Sequence, residues 1–130
     1  QQRARMDPRC RFFHSLGAVR YYSLIPHCHA VLGNSSSGII EVPFYKVPSI
    51  NIGDRQKGRI QHESVVDCPC EVKAIAAALQ TITEERYLAR LKHMKFKLGD
   101  GHAAGRIVAG IEAFTREKDP LHKSLAFEKP

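Results

Sequence analysis

Ala30-Val31-Leu32-Gly33-Asn34-Ser35-Ser36-Ser37-Gly38-Ile39-Ile40-Glu41-Val42 decides the fold. Residues 30–32 form a short apolar run stopped by glycine, the form of a strand buried in a parallel sheet. The next five residues are small and polar, and residues 39–42 read as the first turns of a helix. Pro48-Ser49-Ile50-Asn51-Ile52-Gly53 is a second strand-then-glycine unit. A polar loop follows over residues 54–63, and residues 64–67 read as a third short strand.

Outward from this centre the pattern turns helical. Upstream, residues 11–15 read as a short strand, and residues 18–25 as a helix with Val19, Tyr22 and Ile25 on one face, closed by Pro26. Downstream, Val72, Ile75, Ala76 and Leu79 share a face, as do Tyr87, Leu88, Leu91 and Met94. Gly99-Asp100-Gly101 breaks the chain, and Ile107, Val108, Ile111 and Phe114 mark a last helix. Alternating strands and helices predict an α/β fold: a three-layer Rossmann-like parallel sheet with helices on both faces. Ligands of such sheets bind beyond the carboxyl ends of the strands, which puts the 33–38 turn and the 53–58 loop on one edge. The expected organisation is a basic leader over 1–11, a nucleotide-binding domain over 12–117 and a polar tail over 118–130. The opening Gln1-Gln2-Arg3-Ala4-Arg5, with Met6 internal, reads as a piece of something longer.

Composition bounds the function. The chain has 130 residues, 43% hydrophobic and 25% charged, with a net charge of +7, the profile of one globular domain. No apolar run is long enough to span a membrane, and the first residues lack the apolar core of a signal peptide, so a cytoplasmic setting is expected. The basic residues are scattered, without a like-charge block or an aromatic strand motif, which argues against nucleic acid. Cys10, Cys28, Cys68 and Cys70 imply no disulfide framework without a secretory context. The spacing of His27-Cys28-His29 and Cys68-Pro69-Cys70 does not match a zinc site. Cys28 reads as packing near a strand start, and Cys68 and Cys70 as flanking a loop.

Two motifs carry candidate chemistry. In the first, Ser35, Ser36, Ser37 and Gly38 open a helix, where unpaired N–H groups and the helix dipole suit a phosphate; equally, Ser35 or Ser36 serves as an ordinary N-cap. Glu41 follows, its two carboxylate oxygens matched to vicinal ribose hydroxyls, or simply a solvent-facing residue. In the second, Asn51-Ile52-Gly53-Asp54-Arg55-Gln56-Lys57-Gly58-Arg59 puts three cations in five residues after a strand end. Such a loop clamps phosphates through the arginine fork or stands as a solvated basic loop.

Together these motifs resemble the signature of the hydrolysing UDP-N-acetylglucosamine 2-epimerases. The resemblance covers roughly Phe12 to Phe114, from Ser15-Leu16-Gly17, with Tyr21 and Leu24, through both motifs to Gly99-Asp100-Gly101 and Ile107, with departures at Val42, Tyr45 and Leu98. The non-hydrolysing relatives' Asp-Ser-Gly-Gly turn and Thr-Glu-Arg-Pro loop are absent from the sequence. The resemblance implies the C-terminal half of a two-domain, glycosyltransferase-B-like enzyme with UDP in its cleft. Phosphates would lie at Ser35, Ser36, Ser37 and Gly38, the ribose at Glu41, and the nucleotide against Arg55, Ser15 and Leu16. It implies no metal, no cofactor and no catalytic residue in this chain, because the proton-transfer groups belong to a preceding segment. The implied partners are UDP-GlcNAc or UDP and that N-terminal domain, with room for a homo-oligomer. The same architecture also suits the C-terminal half of a UDP-sugar glycosyltransferase or a stand-alone nucleotide-binding module.

Overall fold

The computed structural model describes residues 1–116. The expected tail over 118–130 lies outside the described residues. The chain divides into two compact units, Gln1–Lys97 and a second that begins at Leu98.

The first unit is built on a three-stranded parallel sheet, β1 (Val31–Gly33), β2 (Ser49–Ile52) and β3 (Val65–Cys68), in the order β1-β2-β3. Val31 pairs with Ser49, and Ser49 in turn with Val65, so alternate residues of β2 point to opposite layers. On one side Ile50 and Cys68 pack with Ala78 and Ile82 of α4 (Val72–Thr83), and with Tyr87 and Leu91 of α5 (Glu85–His93) and Met94 beyond it. The opposite layer holds α2 (Gly17–Leu24) and α3 (Ser37–Ile40), the latter packed on β1 and β2. A smaller core of Ile25, Val42 and Val47, with Cys28, Val31, Tyr21 and Tyr45, fills the space beneath. The unit is therefore a three-layer Rossmann-like arrangement, with helices on both faces of a parallel sheet.

The two crossovers differ. The β1-to-β2 connection carries α3 and a 3-10 turn, Val42–Tyr45. The β2-to-β3 connection, residues 53–64, has no helix, although parallel strands are usually joined through one. Its turns are held by Lys57 N–H to the Asp54 carbonyl and Arg59 N–H to the Gln56 carbonyl.

Several expectations are corrected. Residues 11–15 form no strand: Phe12 and Phe13 are exposed, and the Arg11 guanidinium donates to the Pro8 and Cys10 carbonyls. A strand needs a ladder partner to satisfy its backbone, and none is offered there. The helix α1 (Gln2–Met6) precedes this stretch, with Asp7 accepting from Arg9 at 3.0 and 2.9 Å. The helix α2 ends just before Pro26, which sits inside a 3-10 turn, Ile25–His27, but of its expected face only Ile25 is buried and Val19 and Tyr22 are exposed. The helix after the serine turn is one turn long, because Pro43 supplies no N–H and the chain tightens into the 3-10 turn. The third strand starts one residue later than expected, so Cys68 ends β3 in the core rather than flanking a loop; Cys70 is exposed. On α4 the expected face is rotated. Val72 is 85% exposed and Leu79 also lies outside, while Ala78 and Ile82 are buried. On α5, Leu88 is exposed while Tyr87, Leu91 and the following Met94 are buried, as their spacing predicts.

His62 ties the loop crossover to the end of this unit. It is buried, stacks on Phe96 with centroids 4.9 Å apart, and its Nε2 accepts the Lys97 N–H at 2.9 Å. Accepting requires the neutral ring. Burial lowers its pKa below 6.5 and the Lys97 charge adds to this, against an opposing pull from the Ile39 carbonyl. A depressed folded-state pKa means that the unfolded chain takes up the proton first. The contribution of His62 is present above pH 6.5 and is lost as pH falls through the folded value. Urea midpoints measured from pH 7.5 to 5 should fall in the wild type and fall less in His62→Gln, which keeps an acceptor without titrating. Parallel curves would show that other groups set the acid limit.

In the second unit Gly99 and Gly101 adopt positive φ, and α6 spans Ala103–Thr115. Asp100 accepts the His102 N–H at 3.0 Å and both terminal nitrogens of Arg106, at 2.9 and 2.7 Å. The Arg106 guanidinium holds the Asp100 carboxyl down at about 2.

Candidate functional site

The carboxyl ends of β1 and β2 bring the two sequence motifs together. Gly33 leaves β1 with φ 153 and Gly53 leaves β2 with φ 84, conformations that L side chains resist. The turn after β1 is held close by its own groups. Ser35 Oγ accepts the Ser37 N–H at 3.3 Å, and the Ser35 carbonyl accepts the Gly38 N–H at 3.1 Å. The Ser36 carbonyl accepts from Ile39 and Ile40, so Ser36 is the N-cap without using its side chain. The turn comes very near the sheet: a Cβ on Gly38 would meet Ser49 Oγ at 2.7 Å. Ser35 and Gly38 line a small cavity of about 20 Å³ with Ser49 and Asn51.

Each expected site residue has a definite place. Ser37 Oγ lies 2.6 Å from Tyr21 Oη, which fastens α3 to α2. Ser15 and Leu16 stand just before α2, where Ser15 Oγ accepts the Gly17 N–H at 3.2 Å; the tie to the serine turn runs through Tyr21 rather than through them. Glu41 ends α3, and its Oε2 is buried without a hydrogen-bond partner. Leaving a carboxylate oxygen so is costly unless a donor arrives. Arg55 is exposed and lines a recess of about 390 Å³ with Gly33, Asn34 and Gly53. A neighbouring recess of about 510 Å³ shares Gly53, Asp54 and Cys70 and extends to Lys57 and Asp67. Among the described residues, none of Arg55, Lys57 and Arg59 enters a salt bridge, and Lys57 shares its recess with Asp54 and Asp67.

Asp67 and Gln61 were not singled out by sequence reasoning, and Asn51 entered it only as the first residue of the basic-loop motif. Asp67 Oδ1 accepts from Asn51 Nδ2 at 2.7 Å and Gln61 Nε2 at 3.1 Å, which fixes the carboxylate over the larger recess. Asn51 is buried, one residue beyond the apolar Ile50. A polar residue in the middle of an apolar strand was the available signal, since such a residue needs a partner. Asp67 and Gln61 gave no such signal.

The family model for UDP-N-acetylglucosamine 2-epimerase matches residues 1–112. The chain belongs to the UDP-N-acetylglucosamine 2-epimerase family. It is 35% identical over 115 residues to a polysialic acid biosynthesis protein of Escherichia coli, covering 88% of this chain and 29% of the relative. It is 40% identical over 79 residues to the hydrolysing GDP/UDP-N,N'-diacetylbacillosamine 2-epimerase of Campylobacter jejuni, covering 61% and 20%. Over 68 residues it is 40% identical to the UDP-N-acetylglucosamine 2-epimerase of Neisseria meningitidis, covering 52% and 18%. This epimerase-family chain spans less than a third of the length of these curated relatives. No helix among its described residues is long and apolar enough to cross a membrane.

Proposed function

We propose that this chain is the UDP-binding half of a hydrolysing epimerase that converts UDP-GlcNAc and water to N-acetylmannosamine and UDP. The product is an amino sugar of the kind used for sialic acid, and the setting is cytoplasmic. The observation that carries the reading is the buried, unpaired Oε2 of Glu41, one turn beyond the serine turn. A ribose hydroxyl supplies the donor that this oxygen lacks. Ser35, Ser36, Ser37 and Gly38 hold the diphosphate, and Arg55 takes the nucleotide's charged portion through its planar fork. The Ser15 and Leu16 backbone lies against the base. The short α3 contributes little dipole, so hydroxyls and the exposed cations carry the phosphate affinity. A preceding domain supplies the acid–base groups, which must come within hydrogen-bond reach of the sugar. These groups expel UDP to leave a glycal-type intermediate and then deliver water. The relatives named for polysialic acid and for hydrolysing bacillosamine epimerisation support an amino-sugar substrate.

The test is a titration of UDP and 2'-deoxy-UDP against the chain and against the full-length enzyme. Glu41→Gln keeps the shape and weakens the acceptor, so UDP affinity should fall about tenfold, ~1.4 kcal/mol. The deoxy ligand should lose less, and Arg55→Lys should weaken both alike. Equal losses for the two ligands in Glu41→Gln would remove Glu41 from the ribose.

A further inference from the structure

Between Gly53 and Arg59 the side chains are polar and exposed with one exception. Asp54, Arg55, Lys57 and Arg59 all face solvent, while Gln56 in their midst is 2% exposed. Its Nε2 donates to the Asn34 carbonyl at 2.7 Å, across 22 residues of sequence. Its Oε1 is buried without a hydrogen-bond partner. A glutamine that only filled space would be better replaced by an apolar residue, since a buried unpaired amide oxygen is costly. The contact it makes is specific: Asn34 is the residue between the glycine that ends β1 and the serine turn, and Gln56 sits between Arg55 and Lys57. No other side-chain hydrogen bond among the described residues joins these two loops. This amide thus links the serine turn to the segment that carries Arg55.

We infer that Gln56 is a positioning residue that couples the serine turn to the basic loop, so that a nucleoside diphosphate held by the turn recruits Arg55 in the same step. The inference rests on the nucleotide reading above and deepens it: phosphate contact and cation closure form one event, and affinity depends on a side chain that touches neither. Without the amide the turn still meets the phosphates, but Arg55 is no longer carried to them.

Hydrogen exchange on the chain, with and without UDP, tests this. In the ligand-free wild type and in Gln56→Met, exchange at residues 34–38 reads the coupling directly, because local opening sets the rate. The variant should exchange there about tenfold faster, while α4 and α5 stay unchanged. Unchanged exchange at 34–38 overturns the inference. With saturating UDP, the wild type should gain protection at both 34–38 and 54–59, and Gln56→Met at 34–38 alone, with affinity lower by about tenfold. Protection of both loops in the variant also overturns it. Should Gln56→Met fail to fold, the Gln56 side-chain amide resonances of the wild type serve instead: they should shift on UDP addition, and an unmoved Gln56 amide beside shifting serine-turn signals refutes the coupling. If UDP binds nowhere while the ligand-free variant still loosens 34–38, the nucleotide reading fails and the coupling stands.

Discussion

Tyr87→Ala should unfold the first unit or bring it to the edge of unfolding. Tyr87 is 2% exposed, lies among Ile50, Ala78, Ile82 and Leu91, and donates its hydroxyl to the Ser64 carbonyl at 2.8 Å. Truncating a buried aromatic leaves a cavity and costs about 3–5 kcal/mol. A small domain holds roughly 5–15 kcal/mol in total, so the loss takes a large share. Tyr87→Phe isolates the hydroxyl. The Ser64 carbonyl also accepts the Ser49 N–H at 2.8 Å, so it is not orphaned and the cost should stay near ~1 kcal/mol. Burial pushes the Tyr87 hydroxyl up to about 12 from 10. Its contribution is therefore complete below pH 10 and is lost as pH rises toward the folded value. Denaturant melts of both variants at neutral pH, and of the wild type through the alkaline range, check these expectations. A mild Tyr87→Ala phenotype would mean that the core closes over the gap.

Gly38 should show a reversal of sign between two backgrounds. It is buried at the start of α3, and the Cβ of alanine would sit 2.7 Å from Ser49 Oγ. Its φ is not positive, so the cost is steric rather than conformational. Overpacking at a tight contact costs typically about 1–3 kcal/mol, and Gly38→Ala should destabilise by that order and weaken UDP binding as the turn is pushed off the sheet. Ser49→Ala removes the atom in the way. In that background alanine at 38 meets less resistance, and its helix propensity is better than that of glycine by about 1 kcal/mol. Gly38→Ala should then be neutral or stabilising. A thermodynamic cycle over the two sites measures the coupling directly. Additive effects would place the clash elsewhere.

The parts legible in the sequence were those where the neighbours along the chain settle the matter. β2 could be read because Ile50 and Ile52 stand between Pro48 and Gly53, and β1 because Gly33 stops a short apolar run. The shared edge followed from parallel strands. The face of α4 was not legible. Residues 74 and 76–78 are all alanine and fit more than one stripe, and the choice falls to whichever side Tyr87 and Ile50 leave open. The short α3 was foreshadowed by Pro43, whose effect outweighed the apolar period of Ile39 and Ile40. At the site, the serine turn and the cations announced themselves by composition. Gln56 did not, because a glutamine among arginines and lysines looks solvated until its partner, Asn34, is brought near in space. The unpaired oxygen of Glu41 is likewise a property of its surroundings.

The helix-free connection between β2 and β3 sets terms for how this site can evolve. Buried Gln56 and His62 hold that connection in place, so changes at these two positions are filtered by foldability before any ligand is met. Arg55, Lys57 and Arg59 project into solvent from the same segment and carry almost none of that burden. Exposed substitutions usually move stability by within about ±0.5 kcal/mol. Lineages descending from this sequence can therefore change the charge of this edge by drifting through the three cations, while the frame beneath them stays fixed.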